Sequence, residues 1–424
     1  MVCLPWPVTS QVGRLSPLSN RNFRRFFLGE TINTAGSSMS GIALAFAVLQ
    51  IDRSPTALGL VVAAWTVPMV TFMLLGGALA DRLPRALVLR GCNLLQGLTQ
   101  LTIAVLLLTD SAHIWQLVIL RFVSGTAAAV SYPAFHGMVP TLLPESERKA
   151  GFLLLSQSQS ALTVLGPAAS GVLVATNGPG WALAIDAGTY VWAAYFLTLL
   201  RVPPREPLEE KTSFLHDFTA GWSYARTLGW VLPVACCSLV FNALTSGAVD
   251  VLGPVIAKGT VGSSGLGYAR AAEALGLFLF AFVLARITLR RPLIACQVGF
   301  VTMSVPMLVL GLWTHTIPLA AAFFLAGCGS AIINLAWGLT VQEKVPEQML
   351  SRIMAIDGFF SFVAMPIGQI IVGPLTHLLN LRSIELGAAG LCLLTFLIGV
   401  TRPALRNLHL EGPDRNATPQ LAKA

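Results

Sequence analysis

Long apolar stretches broken by short polar turns dominate the chain. Residues 54–80, 91–109, 122–144, 150–185, 227–249 and 292–342 contain no Asp, Glu, Lys or Arg. The hydrocarbon core of a bilayer, roughly 30 Å thick, takes about 20 apolar residues per helix. Several of these runs therefore hold one membrane span and some hold two. Dividing them at turn residues predicts twelve helices, over 26–50, 57–80, 86–109, 114–139, 150–175, 181–201, 228–251, 264–285, 292–313, 317–341, 354–376 and 384–401. The connections are mostly short, as expected of antiparallel neighbours, and the pattern reads as an all-α polytopic membrane protein.

Composition agrees. Of 424 residues, 55% are hydrophobic and only 11% charged, and the mean hydropathy is +0.73. A soluble chain of this length would need more charge to cover its surface. The net charge of +8 fits membrane topology better than nucleic-acid binding. With both termini cytoplasmic, 22 of the 27 Lys and Arg fall on the cytoplasmic side, as the positive-inside rule requires. Arg53, Lys258, Arg270 and Arg382 fall outside, and Arg121 lies within a span. Met1 to Asn20 is polar and lacks the apolar core of a secretory signal. The seven cysteines form no CxxC pair or Cys/His cluster of metal spacing. Neither a metal nor a cofactor is expected.

The polar, proline-containing segment from Arg201 to Phe218 lies at the midpoint and reads as a linker. The expected organisation is a cytoplasmic segment 1–25, a six-helix bundle 26–201, a linker 202–227, a second six-helix bundle 228–401 and a cytoplasmic tail 402–424. An internal repeat supports the division. At an offset of 202, Gly125 falls on Gly327, Pro144 on Pro346, Glu145 on Glu347, Gly166 on Gly368 and Gly171 on Gly373. Parallel repeats of two six-span halves are a transporter signature.

Three motifs carry more specific information. The loop after the second span reads GGALADRLPRALVL, with Gly77, Asp81, Arg82 and Arg85; read plainly, it is a positive-inside loop with one acid among bases. In the fourth span Arg121 precedes Gly125 in LRFVSGTAAA. A membrane arginine costs about 2.5–3.5 kcal/mol on insertion scales, so it either snorkels to the outer interface or faces a partner or a wet cavity. The fifth span contains LGPAASGVL, with Gly166, Pro167 and Gly171. There the proline bends the helix and the small residues allow a tight crossing.

Together these resemble the major facilitator superfamily, over nearly the whole chain. The opening NRNFRRFFLGETINTAGSS and the stretch VPEQMLSRIMAIDG are most similar to the macrolide- and siderophore-exporter branch of drug–proton antiporters. The resemblance implies two pseudo-symmetric six-helix bundles around a central cavity. It implies a cytoplasmic latch at Asp81, Arg82 and Arg85, a proton-linked role for Arg121, and export from the fifth-span motif. Pro84 and Ala86 stand where the loop motif has glycine and a second base, and Ser170 replaces the first of two glycines in the exporter motif.

Burial favours the neutral form of an acid, so an acid inside a span is suited to taking up and releasing protons. Glu30 and Glu273 are the candidates for coupling, with Arg121 as modulator. Each has a plainer reading, Glu30 as an interface residue and Glu273 as the ion-pair partner of Arg270 one turn away. Asp186 and Asp250 read as residues near the outer face, and Asp357 as a contact of the Asp81–Arg85 loop. Under the implied fold Asn33, Tyr132, Asn242, Asn334 and Trp337 line the cavity or pack between helices.

The expected function is proton-coupled export of small amphipathic compounds such as drugs, antibiotics or natural products, by a monomer in the plasma membrane of a bacterium. A siderophore exporter and a proton-coupled importer of a small metabolite are the alternatives. The expected partners are the substrate, protons and lipid, without nucleic acid. An enzyme would need a nucleophile–base pair or metal set within the spans, and the six histidines are dispersed.

Overall fold

The computed structural model describes residues 16–200, 214–284, 286–287 and 289–409, of which 73–82, 214–220, 347–348, 351 and 355 are described by backbone alone. These residues form helices and turns, in two compact units. One unit takes the chain up to residue 200 and Ala257–Ala271, the other residues 214 to Ile256 and Ala272 onward.

The first unit holds α1 (Arg21–Ile51), α2 (Pro55–Arg82), α3 (Arg85–Leu108), α4 (Ile114–His136), the short α5 (Met138–Leu142), α6 (Glu145–Asn177) and α7 (Pro179–Thr198). Local chemistry fixes several of the starts. The Asn20 side chain accepts from the backbone N–H of Asn22 and Phe23 at 3.0 and 3.1 Å, satisfying donors that the first turn leaves orphaned. Proline opens α2 and α7 from inside and precedes α3 and α6, where its missing N–H is no loss. At 33 residues, α6 is about 50 Å long, longer than the apolar layer. Its surplus first turn carries Glu145 and Glu147, which complement the helix dipole.

Within this unit α7 packs against α1 and α3, α2 against α4, and α1 against α6. Phe23, Phe26, Leu89, Met138 and Leu155 fill the core near the α1 start.

The second unit holds α8 (Phe214–Leu228), α9 (Val231–Thr245), a π-helical stretch Ser246–Leu252, α10 (Gly253–Lys258), α11 (Gly262–Leu284), α12 (Pro292–Leu312), α13 (Thr316–Lys344), α14 (Glu347–Leu375), α15 (Leu381–Thr401) and the short α16 (Pro403–Arg406). The last residues of α10 and the first half of α11 belong with the first unit. From α9 through α10 the chain makes one continuous span, Val231–Lys258. In the second unit α12 packs on α13 and α15, and α14 on α9. The core includes Trp230, Leu293, Trp337, Ile353 and Leu405.

Among the described residues, eleven helical spans are long and apolar enough to cross a bilayer. The twelfth is α7, made less apolar by Asp186, Thr189 and Tyr190 in its middle. Observed spans match the expected ones to within a few residues at most ends. The π stretch was not expected, α10 extends the seventh span to Lys258, and α14 begins at Glu347.

The internal repeat has a physical basis. Pro144 and Pro346 are equivalent N-caps, of α6 and α14. Gly125 lets α4 approach α2 so closely that a Cβ would collide with the Trp65 carbonyl. Gly327 does the same for α13 against the Glu273 carbonyl of α11. Gly166 faces Ser38 of α1, and Gly368 faces the Ala243 carbonyl of α9. Repeated glycines thus stand at tight helix crossings and repeated prolines at helix starts.

Candidate transport site

Each unit contains a cavity. That of the first, about 360 Å³, is bordered by Glu30, Asn33, Asn93, Gln96, Tyr132 and Tyr190, with Trp65 and His136 also in the wall. Glu30 is 8% exposed and within hydrogen-bonding reach of Asn33 on the next turn of α1. Tyr132 and His136 meet edge to face at 4.7 Å between ring centres. Among the described residues, the wall contains one carboxylate and neither Lys nor Arg.

Farther along α4, Arg121 turns inward. Its guanidinium lies over the Trp65 ring, 5.6 Å from the centroid, within Coulombic range of Tyr190 and Asp186. Asp186 of α7 is 1% exposed, and its Oδ2 accepts from Gln100 Nε2 of α3 at 2.8 Å. Burying an unpaired ion costs several kcal/mol, so an acid and a base in one membrane bundle are expected to find each other. α3 adds Gln96, whose Oε1 accepts from the Tyr190 hydroxyl at 3.4 Å.

The cavity of the second unit is about 420 Å³ and mostly neutral. Asn242, Asn334, Trp337 and Asp357 contribute its polar edges, Phe241 and Phe300 its aromatic floor. The two phenylalanines are 5.1 Å apart between centroids, and Trp337 is braced edge-on by Trp230 at 5.7 Å. A mainly apolar pocket with a few convergent polar groups is the usual form of a small-molecule site.

The candidate residues thus fall into two sets, Glu30, Asn33 and Tyr132 on one cavity and Asn242, Asn334, Trp337 and Asp357 on the other. Glu273 lines neither; it sits on α11 with its backbone carbonyl against Gly327.

Gly77, Asp81 and Arg82 lie on the backbone of α2, outside the residues whose side chains are described. Their neighbour Arg85 starts α3, and its guanidinium donates to the Gly137 carbonyl and, at 3.1 Å, to the Thr141 hydroxyl. It ties the start of α3 to the break between α4 and α5.

The fifth-span motif is a contact surface. Beyond the close approach at Gly166, a Cβ at Gly171 would stand 2.6 Å from the Ser263 carbonyl. One at Gly267 would stand 2.6 Å from the Pro167 carbonyl. The Ser263 hydroxyl donates to the Gly171 carbonyl at 3.1 Å. Ser170, where the motif has glycine, donates to the Met39 carbonyl of α1 at 2.6 Å.

One buried acid, Glu385, escapes the sequence reading, which names Asp186 only as a residue near the outer face. The expected sixth span, which carries Asp186, starts at 181. The helix begins at Pro179, so Asp186 lies two turns inside. Glu385 of α15 is 0% exposed, and neither carboxylate oxygen has a hydrogen-bond partner among the described residues. Its signal was Asn380, which caps α15 by accepting from Ser383 N–H at 2.8 Å and sets the start of the helix one turn earlier.

Residues 26–369 match the sequence profile of the Major Facilitator Superfamily. The chain is 26% identical over 395 residues to the multidrug efflux pump Tap of Mycolicibacterium fortuitum, covering 89% of this chain and 94% of the relative. It is 24% identical over 402 residues to the enterobactin exporter EntS of Escherichia coli (strain SMS-3-5 / SECEC), covering 93% and 95%. Among solved structures, the nucleoside transporter NupG superposes with a TM-score of 0.72 at 13% identity, over 90% of this chain and 99% of that one. A bacterial homologue of the iron transporter ferroportin in an inward-facing state gives 0.66 at 16% identity, over 90% and 99%. At such identities the structural likeness speaks for the fold.

Proposed function

The chain belongs to the Major Facilitator Superfamily, and from that premise we propose that it exports small amphipathic compounds by proton antiport with alternating access. The observation that carries the reading is Glu30, a buried acid in the wall of a cavity whose lining, among the described residues, has no fixed cation. Such an acid is well suited to exchanging a proton with the cavity. The aromatic and amide lining of the second cavity suits a lipophilic or weakly cationic substrate, since fixed charges there would be left unpaired by an apolar guest. The similarity to Tap and EntS supports efflux over uptake.

The energetics suffice. Moving one charge through 100 mV supplies about 2.3 kcal/mol, and 1.4 kcal/mol is tenfold. One coupled proton therefore sustains roughly a 50-fold gradient per 100 mV.

The test is accumulation of a fluorescent lipophilic cation in cells expressing the protein, with and without a protonophore. Antiport predicts lower accumulation, reversed by the protonophore and absent in Arg121→Ala. Lower accumulation that a protonophore leaves unchanged would sink proton coupling.

A further inference from the structure

Asp186 has no part in the coupling through Glu30, yet its surroundings are built for a change of state. Its Oδ2 is held by Gln100, while Oδ1 has no hydrogen-bond partner among the described residues. Oδ1 faces α1 at Gly36, where a Cβ would stand only 2.9 Å away. The Thr189 hydroxyl donates to the Asp186 backbone carbonyl at 2.7 Å and is also within reach of its carboxyl group.

The cation that faces Asp186 is Arg121 of α4, and its Nε likewise lacks a partner among the described residues. An acceptor without a donor and a donor without an acceptor lie in one buried cluster, unjoined. Arg121 rests instead on the face of Trp65, and Trp65 is part of the cavity wall. The guanidinium therefore has two seats, an aromatic face and a carboxylate.

The other groups facing Asp186 are few. Tyr190 stands one turn along α7 and Glu30 lies beyond it on α1, both in the cavity wall. α3 presents the neutral amides of Gln96 and Gln100. The charged residues of α6 (Glu145, Glu147, Arg148 and Lys149) are confined to its first turns.

We propose that Asp186 is a second proton-binding site, whose occupancy decides whether Arg121 sits on Trp65 or on Asp186. A proton taken from water onto Oδ1 neutralises the acid and leaves the guanidinium on Trp65. Its return to water restores the carboxylate, and Arg121 closes on it. No other bond changes, and the proton state of a site behind the cavity is passed to the cavity wall through Trp65. As the control of transport by this switch, the inference rests on the antiport reading; as proton binding, it stands alone.

Infrared difference spectroscopy of the purified full chain across a pH jump tests it without a substrate. Asp186→Asn is expected to remove one protonated-carboxyl band that persists in Glu30→Gln. The pH-dependent part of the tryptophan fluorescence is expected to disappear in both Trp65→Phe and Asp186→Asn. If Asp186→Asn does not assemble, Asp186→Glu keeps the acid and is expected to shift the same band. A full set of bands in Asp186→Asn, or an unmoved band in Asp186→Glu, overturns the proposal. A parallel assay of pH-gradient-driven ethidium flux in liposomes separates the two readings. No driven flux in the wild type would count against antiport alone, leaving the infrared result to judge Asp186.

Discussion

The two units share a helix plan but differ in what they bury. Inside the first, Glu30 lies on the cavity wall and Asp186 and Arg121 lie nearby, with Gln100 bonded to Asp186 and Tyr190 to Gln96. Inside the second, the cavity is walled by Phe241, Phe300, Trp337 and two asparagines, with Asp357 as its carboxylate. Both halves thus carry buried acids, but the first sets Asp186 near Arg121, while the second surrounds Asp357 with aromatic and amide groups and buries Glu385 apart from its cavity. Fold does not dictate function; under the proposed antiport, coupling would fall to the first unit and substrate contact to the second.

The largest expected effect tests that division directly. Glu30→Gln is expected to abolish export against a gradient while sparing downhill exchange. Asp357→Asn is expected to keep uphill export and change apparent substrate affinity by at most about tenfold, the effect of 1.4 kcal/mol. Transport of a fluorescent cation in liposomes, with and without an imposed pH gradient, distinguishes them. If both variants lose uphill export equally, coupling is not confined to the first unit.

Next in size is a matched pair of backbone crossings. Gly125→Ala and Gly327→Ala each drive a methyl into a carbonyl on the neighbouring helix. A carbonyl fixed in a helix cannot move aside as a side-chain tip can. Overpacking of this kind costs about 1–3 kcal/mol, so each variant should unfold at visibly lower temperature than the wild type. A drop in only one would mean that the repeat positions are not mechanically equivalent.

A smaller effect is expected at Trp337. Its truncation to alanine removes an aromatic wall and leaves Trp230 without its edge-on partner. Aromatic pairs contribute about 0.5–1.5 kcal/mol beyond buried area, so affinity for aromatic substrates should weaken severalfold, with aliphatic cations affected less. Equal weakening for both kinds would argue that Trp337 supports the wall without touching the guest.

These expectations show which features were legible in the sequence. Spans and repeat were readable because lipid demands long uncharged runs and tight crossings demand glycine, both local signals. The placing of Asn33, Tyr132, Asn242, Asn334 and Trp337 at a cavity came from the family resemblance, which assigns their spans to the cavity, and not from a local pattern. The bond from Gln100 to Asp186 joins residues 86 apart, and no local pattern announces it. Asp186 is buried because its face of α7 packs between α1 and α3, a long-range choice that the local pattern does not announce. The π stretch at Ser246–Leu252 was equally hidden, because its composition is that of any apolar helix.

The smallest effect sharpens the comparison most finely, because it sets one hydrogen bond in each unit against the other. Ser170 donates from α6 to the Met39 carbonyl of α1, and Ser246 donates from the π stretch to the Met365 carbonyl of α14. Hydrogen bonds between membrane helices average about 0.6 kcal/mol, so Ser170→Ala and Ser246→Ala should each lower stability by that order. Independent sites add to within about 0.5 kcal/mol, and the double variant should lose close to the sum. A larger departure would mean that the units are energetically coupled through their crossings with α1 and α14. Ser170→Gly carries the test further, because it restores the glycine of the exporter motif. It removes the same bond and adds the helix penalty of glycine, about 1 kcal/mol, so it should be the less stable of the two substitutions. If Ser170→Gly proves as stable as the wild type, the close approach of α6 to α1 is held by small size alone and the serine bond contributes nothing.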